Sequence, residues 1–482
     1  MSLGQKAVKG TIWVAGGTYV VQIINFAANI VLMWLLAPEH FGILALAMFF
    51  LTLGQKLGAF GFNHALIHKQ DDLDRAVPAH QFLHLVTSFA VVILIVVFFP
   101  LISGWYDRLT ATVLLFLSFS GVAQGIGHTP RILMEKELDF APVMKVNIAA
   151  TAVSAVVSLG MALAGAGVWT LVGRQLVADG VSAIGYFAVS GRKFRVRIDA
   201  EMFKWFYKFG AYLWVAGMAT MVTLRFDDFL VGTMIDTETL GYYARAYWLA
   251  CLPTVMIAHV VAKVAFPLYS KVQKDRERLS EAFSTAMRGI VLVTLPLSVG
   301  LAILAPEFVM IVFGEKWMSM VPLLQLLLIY ASLRPVFDNT GELFTAVGKP
   351  KIAGMIILMQ AVAVLLLCPV AIYLWKAGGA AVSVGLAMAL GVVIAYRELP
   401  RYVNISFLRL FAAPAIAACA GACFVLVGQA AITIEGDLAR FLFKGLLFLL
   451  GYVAVLGLIQ GRRVIEDGRK LVSLLKADRD KE

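Results

Sequence analysis

Seven stretches of this chain contain no Asp, Glu, Lys or Arg: 10–38, 76–106, 109–130, 146–173, 352–375, 377–396 and 410–434. Each is at least as long as the about 20 residues with which an α-helix crosses the hydrocarbon of a bilayer. A run of that kind must satisfy every backbone polar group internally, so it reads as a membrane helix. Composition agrees. Apolar types make up 61% of the 482 residues and charged types 15%, where soluble domains average roughly 45–50% and 25%. The run from residue 10 is too long for the apolar segment of a cleavable leader and reads as a first membrane helix.

Extending the pattern through the more broken regions predicts fourteen spans. They are 10–36, 41–64, 78–103, 109–130, 143–165, 168–190, 205–234, 240–267, 283–305, 320–347, 351–375, 378–397, 408–430 and 438–460. The net charge of +11 raises the question of nucleic acid. Nucleic-acid binding needs a basic groove on a folded surface, whereas here the cations occupy short loops, so no nucleic-acid partner is expected. If the N-terminus is cytoplasmic, the cytoplasmic segments hold 27 Lys and Arg. The opposite loops hold three, Arg108, Lys316 and Lys376. That bias places both termini in the cytoplasm of a bacterial inner-membrane protein.

The tetrapeptide Trp13-Val14-Ala15-Gly16 recurs as Trp214-Val215-Ala216-Gly217. The turn Pro38-Glu39-His40-Phe41-Gly42 is echoed by Thr237-Glu238-Thr239-Leu240-Gly241. Both echoes are about 200 residues apart and six spans separate them, so the two copies share one orientation: a parallel repeat. The expected organisation is an N-lobe of six spans (1–190), a basic linker (191–204), a C-lobe of six spans (205–397), two further spans (398–461) and a basic tail (462–482).

No phosphate-binding loop, metal-ligand cluster or nucleophile motif occurs, so neither an enzyme nor a cofactor is expected. Cys251, Cys368, Cys419 and Cys423 have no histidine or carboxylate at ligand spacing and read as small packing residues. The informative groups are polar side chains inside spans, where an ionisable residue normally faces a cavity or a partner. The first span carries Thr18, Gln22, Asn25 and Asn29 on one helical face, which either lines a cavity or bonds a neighbouring helix. The fourth carries Ser120, Gln124 and His128 at i, i+4, i+8. In the seventh, Arg225 and Asp228 at i,i+3 can neutralise each other, while Asp227 points elsewhere and needs another partner. In the tenth, Arg334, Asp338 and Glu342 share a face. Lys56, Arg174, Asp179, Arg245 and Lys263 stand singly, and Lys263 lies close enough to a span end to snorkel. Among the candidates, five cations (Lys56, Arg174, Arg225, Arg245, Arg334) stand beside five anions (Asp179, Asp227, Asp228, Asp338, Glu342). Such a mixture suits cations that hold an anionic group and carboxylates that exchange H⁺ or Na⁺.

Several segments resemble the polysaccharide transporter (Wzx/WzxC-type) flippases of the MOP superfamily. They are Arg225-Phe226-Asp227-Asp228-Phe229-Leu230-Val231-Gly232 with Leu240-Gly241-Tyr242-Tyr243-Ala244-Arg245-Ala246-Tyr247, and Leu36-Ala37-Pro38-Glu39-His40-Phe41-Gly42 with Phe60-Gly61-Phe62-Asn63-His64-Ala65-Leu66-Ile67. Phe266-Pro267-Leu268-Tyr269-Ser270, Leu304-Ala305-Pro306-Glu307 and Phe313-Gly314-Glu315-Lys316-Trp317 complete the set. The resemblance implies an all-α fold of two six-helix lobes in a V. It also implies translocation of an undecaprenyl-pyrophosphate-linked oligosaccharide for exopolysaccharide, capsule or O-antigen synthesis. Substrate would be held by Arg225, Arg174, Arg334 and Lys56, with Arg245, Asn25, Asn29, Gln22 and Gln124 lining the cavity. H⁺ or Na⁺ coupling would use Asp227, Asp228, Asp338, Glu342 or Asp179. Membrane lipids, a polysaccharide polymerase and chain-length proteins are the implied partners. The rival readings are a drug exporter or lipid II flippase of the same superfamily, and a non-transporting scaffold of polysaccharide assembly.

Overall fold

A computed structural model describes the backbone of residues 3–58 and 61–477. Side chains are described for residue 10 and for 13–58, 61–252, 265–406, 408 and 410–461. The cations at Lys6, Lys9, Lys263 and Arg409 and those of the tail from Arg462 lie outside these, as does Phe60.

The described residues fold into α-helices joined by short turns. In order they are α1 (Leu3–Leu35), α2 (Pro38–Gly58), α3 (Phe62–His68), α4 (Leu73–Trp105), α5 (Arg108–Lys136), α6 (Phe140–Leu163), α7 (Trp169–Ser190), α8 (Ala200–Met234) and α9 (Thr237–Val272). There follow α10 (Arg276–Val312), a 3₁₀ turn (Glu315–Met320), α11 (Val321–Ala346), α12 (Pro350–Glu398), a second 3₁₀ turn (Leu399–Arg401), α13 (Phe407–Ala431) and α14 (Asp437–Ala477). Each expected span except 41–64, which runs from α2 across residues 59–60 into α3, falls mainly on one of them, and eleven described segments are long and apolar enough to cross a membrane. α12 breaks at Trp375 and Lys376, whose backbone is not helical, where the expected eleventh and twelfth spans meet.

Two boundaries differ from the sequence pattern. The second span ends at Gly58, and after residues 59–60 the short α3 starts from Gly61, whose φ of +66° is left-handed. Glycine is the residue that adopts this without strain. α8 begins at Ala200 rather than 205 because Asp199 caps it, its carboxylate accepting from Met202 N at 3.2 Å. An aspartate N-cap satisfies an otherwise orphaned amide, so the extended linker is 191–199.

Backbone contacts divide the chain into two compact units, Met1–Ala244 with Val364–Ala377, and Arg245–Ala363 with Gly378–Glu482. In the first, α5 packs against α2, α4 and α7, and α6 fits between α1 and α7. Its core includes Ile43, Leu51, Val91, Leu114, Leu117 and Val172. Small residues let the helices approach closely: Ser88 Oγ of α4 donates to the Gly121 carbonyl of α5 at 3.0 Å. In the second unit, α10 packs against α11, α13 and α14. Lys444 of α14 pairs there with Glu307 of α10, both buried. Large apolar side chains remain exposed along the helices, among them Leu163, Ile184 and Leu458. Lipid, as apolar as these side chains, is the solvent that such a surface fits.

Candidate functional site

The helices that enclose α5 and α8 gather most of the expected residues of the first unit into three partner sets. In the first, Arg174 of α7 reaches α1. Its Nη2 donates to Asn25 Oδ1 at 2.7 Å and its Nη1 to Asn29 Oδ1 at 3.3 Å. Asn25 and Asn29 face the same neighbour because four residues make about one helical turn, and Asn29 Nδ2 also donates to the Asn25 carbonyl at 2.8 Å. These acceptors are neutral amides, so the guanidinium keeps its full charge. Two of its five N–H groups point at α1, which leaves three for a ligand.

The second set joins α5 to α7. Gln124 Nε2 donates to Asp179 Oδ2 at 3.1 Å, and Gln175 Nε2 donates to the same oxygen at 2.7 Å. Gln55 Nε2 of α2 donates to Gln124 Oε1 at 3.5 Å. Arg174 and Asp179 therefore engage different helices, although only five residues separate them.

The third set lies on α8 and the start of α9. Arg225 Nη1 donates to Asp228 Oδ2 at 3.2 Å, the i,i+3 pair that the spacing anticipates. Asp227 is fully buried and accepts from Tyr243 Oη at 2.6 Å. Its other oxygen has no hydrogen-bond partner among the described residues. α2 closes against α8 above this set: Phe49 stacks on Phe229 with centroids 4.7 Å apart, and Trp214 Nε1 donates to the Lys56 carbonyl at 2.8 Å. The Lys56 side chain itself is exposed, and Gln22 is half-buried on α1.

In the second unit, α11 carries Arg334 with Asp338 Oδ2 3.7 Å from its Nε. Arg334 Nη1 also donates to Tyr330 Oη at 2.9 Å, and the Tyr247 ring lies 5.3 Å from that of Tyr330. Glu342 is half-buried one turn beyond Asp338. Arg245 sits over the Trp248 ring at 5.8 Å, a cation–π distance. Cys251 and Cys368 are buried, Cys419 and Cys423 are exposed, and all four are free thiols.

Two groupings escaped the sequence reading. His80 and His84 of α4 and His128 of α5 form a ladder, with ring centroids 4.5 and 5.0 Å apart. His80 Nδ1 shares a 2.9 Å hydrogen bond with Thr129 Oγ1. The signal was present, since two histidines at i,i+4 occupy a run screened only for Asp, Glu, Lys and Arg. The Lys444–Glu307 pair has no spacing signal, because 137 residues separate its members.

Polar sets on apolar helices long enough to cross a bilayer define a multi-pass membrane protein. The fold of the described residues is all-α. It matches the lipid II flippase MurJ in an inward closed conformation with a TM-score of 0.76, covering 92% of this chain and 100% of that one at 13% identity. The chain belongs to the family described as "Polysaccharide biosynthesis protein", whose model matches residues 31–322. Among its relatives is teichuronic acid biosynthesis protein TuaB of Bacillus subtilis (strain 168), 28% identical over 297 residues that make up 61% of either chain. Another is lipopolysaccharide biosynthesis protein WzxC of Escherichia coli (strain K12), 24% identical over 73% of this chain and 72% of that one.

Proposed function

We propose that this chain is a flippase that moves an undecaprenyl-pyrophosphate-linked oligosaccharide from the cytoplasmic to the periplasmic leaflet of a bacterial inner membrane. The observation that carries the reading is Arg174, a membrane-embedded guanidinium held by two asparagine oxygens and, among the described residues, by no carboxylate. Leaving such a charge unneutralised inside a membrane costs several kcal/mol, so the position demands an anion. A pyrophosphate supplies it through charge-assisted bonds, and the isoprenoid tail stays in lipid. The family of polysaccharide biosynthesis proteins supports the choice of a glycan-bearing lipid over a cationic drug.

Arg225 and Arg334 have carboxylates beside them and act as secondary anchors. Asp227, with one unpartnered oxygen, and Asp179, held by two amide donors, are the positions for a coupling H⁺ or Na⁺. Both termini lie in the cytoplasm, as the loop cations require. A polysaccharide polymerase and chain-length proteins act on the exported product.

The test replaces Arg174 by Ala and by Lys, with membrane expression matched to wild type. R174A raises the cellular pool of lipid-linked oligosaccharide and lowers polymer export about tenfold or more, a loss of roughly 1.4 kcal/mol of binding. R174K recovers part of the export, because Lys keeps the charge without the planar fork. Unchanged export in R174A would overturn the anchor. A scaffold without transport would tolerate R174A, R225A and R334A alike.

A further inference from the structure

The end of the first unit that carries the 191–199 linker walls a half-open cavity of about 690 Å³, and none of the fourteen expected site residues lines it. Four cations do: Lys136 of α5 and Arg192, Lys193 and Arg195 of the linker. Lys136 Nζ is engaged by the carbonyls of Leu66 and Lys69, and Arg192 pairs with Glu137. Lys193 and Arg195 make no hydrogen bond or ion pair with a described residue.

A loose basic tether would not wall a cavity. This linker is tied down on both sides of the two unengaged cations. Ahead of them stands the Arg192–Glu137 pair. Beyond them Arg197 N donates to the Pro78 carbonyl at 3.3 Å, and Arg75 grips Asp199 through Nε and Nη2 at 2.8 and 3.0 Å. The lining also includes polar Gln81 and Thr129, and an apolar side made by Val77, Leu133 and Phe187. Cations, hydrogen-bonding side chains and an apolar side sharing one chamber at the basic end of a membrane bundle match an amphiphile with a phosphate head. The volume falls in the range of about 300–1,000 Å³ typical of small-ligand sites.

We infer that this cavity binds the phosphate head of an anionic lipid from the leaflet beside the basic loops. Lys193 and Arg195 hold the phosphate oxygens by charge-assisted bonds, and the Val77, Leu133 and Phe187 side accepts the first carbons of the lipid. The site is separate from the Arg174 cluster and does not depend on what is transported.

The test titrates the purified full chain, in neutral detergent, with short-chain phosphatidylglycerol and with phosphatidylcholine of equal chain length. Wild type binds phosphatidylglycerol about tenfold more tightly. K193A/R195A loses that preference, and K274A/K349A, which removes two cations from other basic loops, keeps it. V77W fills the chamber with every charge intact and also loses it, so the inference stays testable if the double variant fails to fold. Competition by inorganic pyrophosphate identifies phosphate as the recognised group. Binding of the lipid alone, without such competition, identifies the lipid as the sole source of the ligand. A phosphatidylglycerol preference that survives both K193A/R195A and V77W, or that K274A/K349A reduces equally, overturns the inference. Because binding is read without transport, either result leaves the flippase reading standing.

Discussion

Replacing Tyr243 by Phe removes one hydroxyl from the interior of the first unit and strips Asp227 of the partner seen at 2.6 Å. The other Asp227 oxygen is already unpartnered among the described residues, so the variant leaves a fully buried carboxyl with neither side-chain oxygen satisfied by a side chain. That costs about 2 kcal/mol, read as a lower thermal midpoint of Y243F in detergent. Wild-type stability in Y243F would mean that the hydroxyl contributes nothing. The sequence carried half of this arrangement. Arg225 and Asp228 are one helical turn apart and pair as their spacing requires, and Asp227, rotated away from them, had to find a partner elsewhere. Which partner depends on how α8 meets α9, and local spacing holds no record of that. The same limit applied to Arg174. Its presence in a span was plain, but that it reaches Asn25 and Asn29 of α1 while Asp179 turns to Gln124 of α5 depends on how α7 is set against its neighbours.

The two sequence echoes play unequal parts once the helices are built. Trp-Val-Ala-Gly is the more visible repeat, yet a Cβ added at Gly16 or Gly217 would meet nothing within 4 Å. The fainter echo is where the fold needs glycine. The starts of α2 and α9 cross so closely that a Cβ on Gly42 would lie 1.6 Å from the Thr237 carbonyl oxygen, and one on Gly241 would lie 2.0 Å from that of Pro38. Each copy of the turn thus packs on the other, and the obstructing atoms are backbone, which cannot rotate aside. G42A and G241A should each cost about 3 kcal/mol, seen as loss of folded protein on size exclusion, while G16A and G217A express as wild type. Equal tolerance of all four would refute the crossing. The junction between linker and α8 adds a pH dependence. The hydrogen bonds from Arg75 hold the Asp199 carboxyl below the usual carboxylate range. A carboxyl depressed in the folded state contributes stability above its unfolded value, about 3.9. That contribution is lost as pH falls through the folded value. Thermal midpoints should therefore favour wild type over D199N at pH 6, with the gap narrowing below about pH 4. A gap independent of pH would assign the effect to the cap alone.

At the scale of the whole chain, hydropathy made the helices legible because a bilayer imposes the same length and the same polarity on every span. The side-chain chemistry was less legible because each polar set is assembled from two helices. α12 shows how the general rule settles a particular count. A single helix of 49 residues would be about 73 Å long, more than twice the roughly 30 Å of hydrocarbon, so it cannot be one crossing. Its break at Trp375 and Lys376 falls near the midpoint, and Lys376 takes a positive φ of 50°, a conformation that ends a right-handed helix. Two spans result, with Lys376 between them. Lys376 is one of three cations that loop counting puts outside, while Lys349 and Arg401 at the two ends of this stretch fall inside. Alkaline phosphatase fused after Lys376 should be active, and fusions after Lys349 and Arg401 inactive. Phosphatase folds only where its disulfides form, outside the reducing cytoplasm. An inactive fusion at Lys376 would keep the whole stretch on one side of the membrane and remove two crossings, whereas an active fusion after Arg401 would invert every assignment after it. The alternation that predicts both termini in the cytoplasm therefore requires the inactive fusion after Arg401 as well as the active one after Lys376.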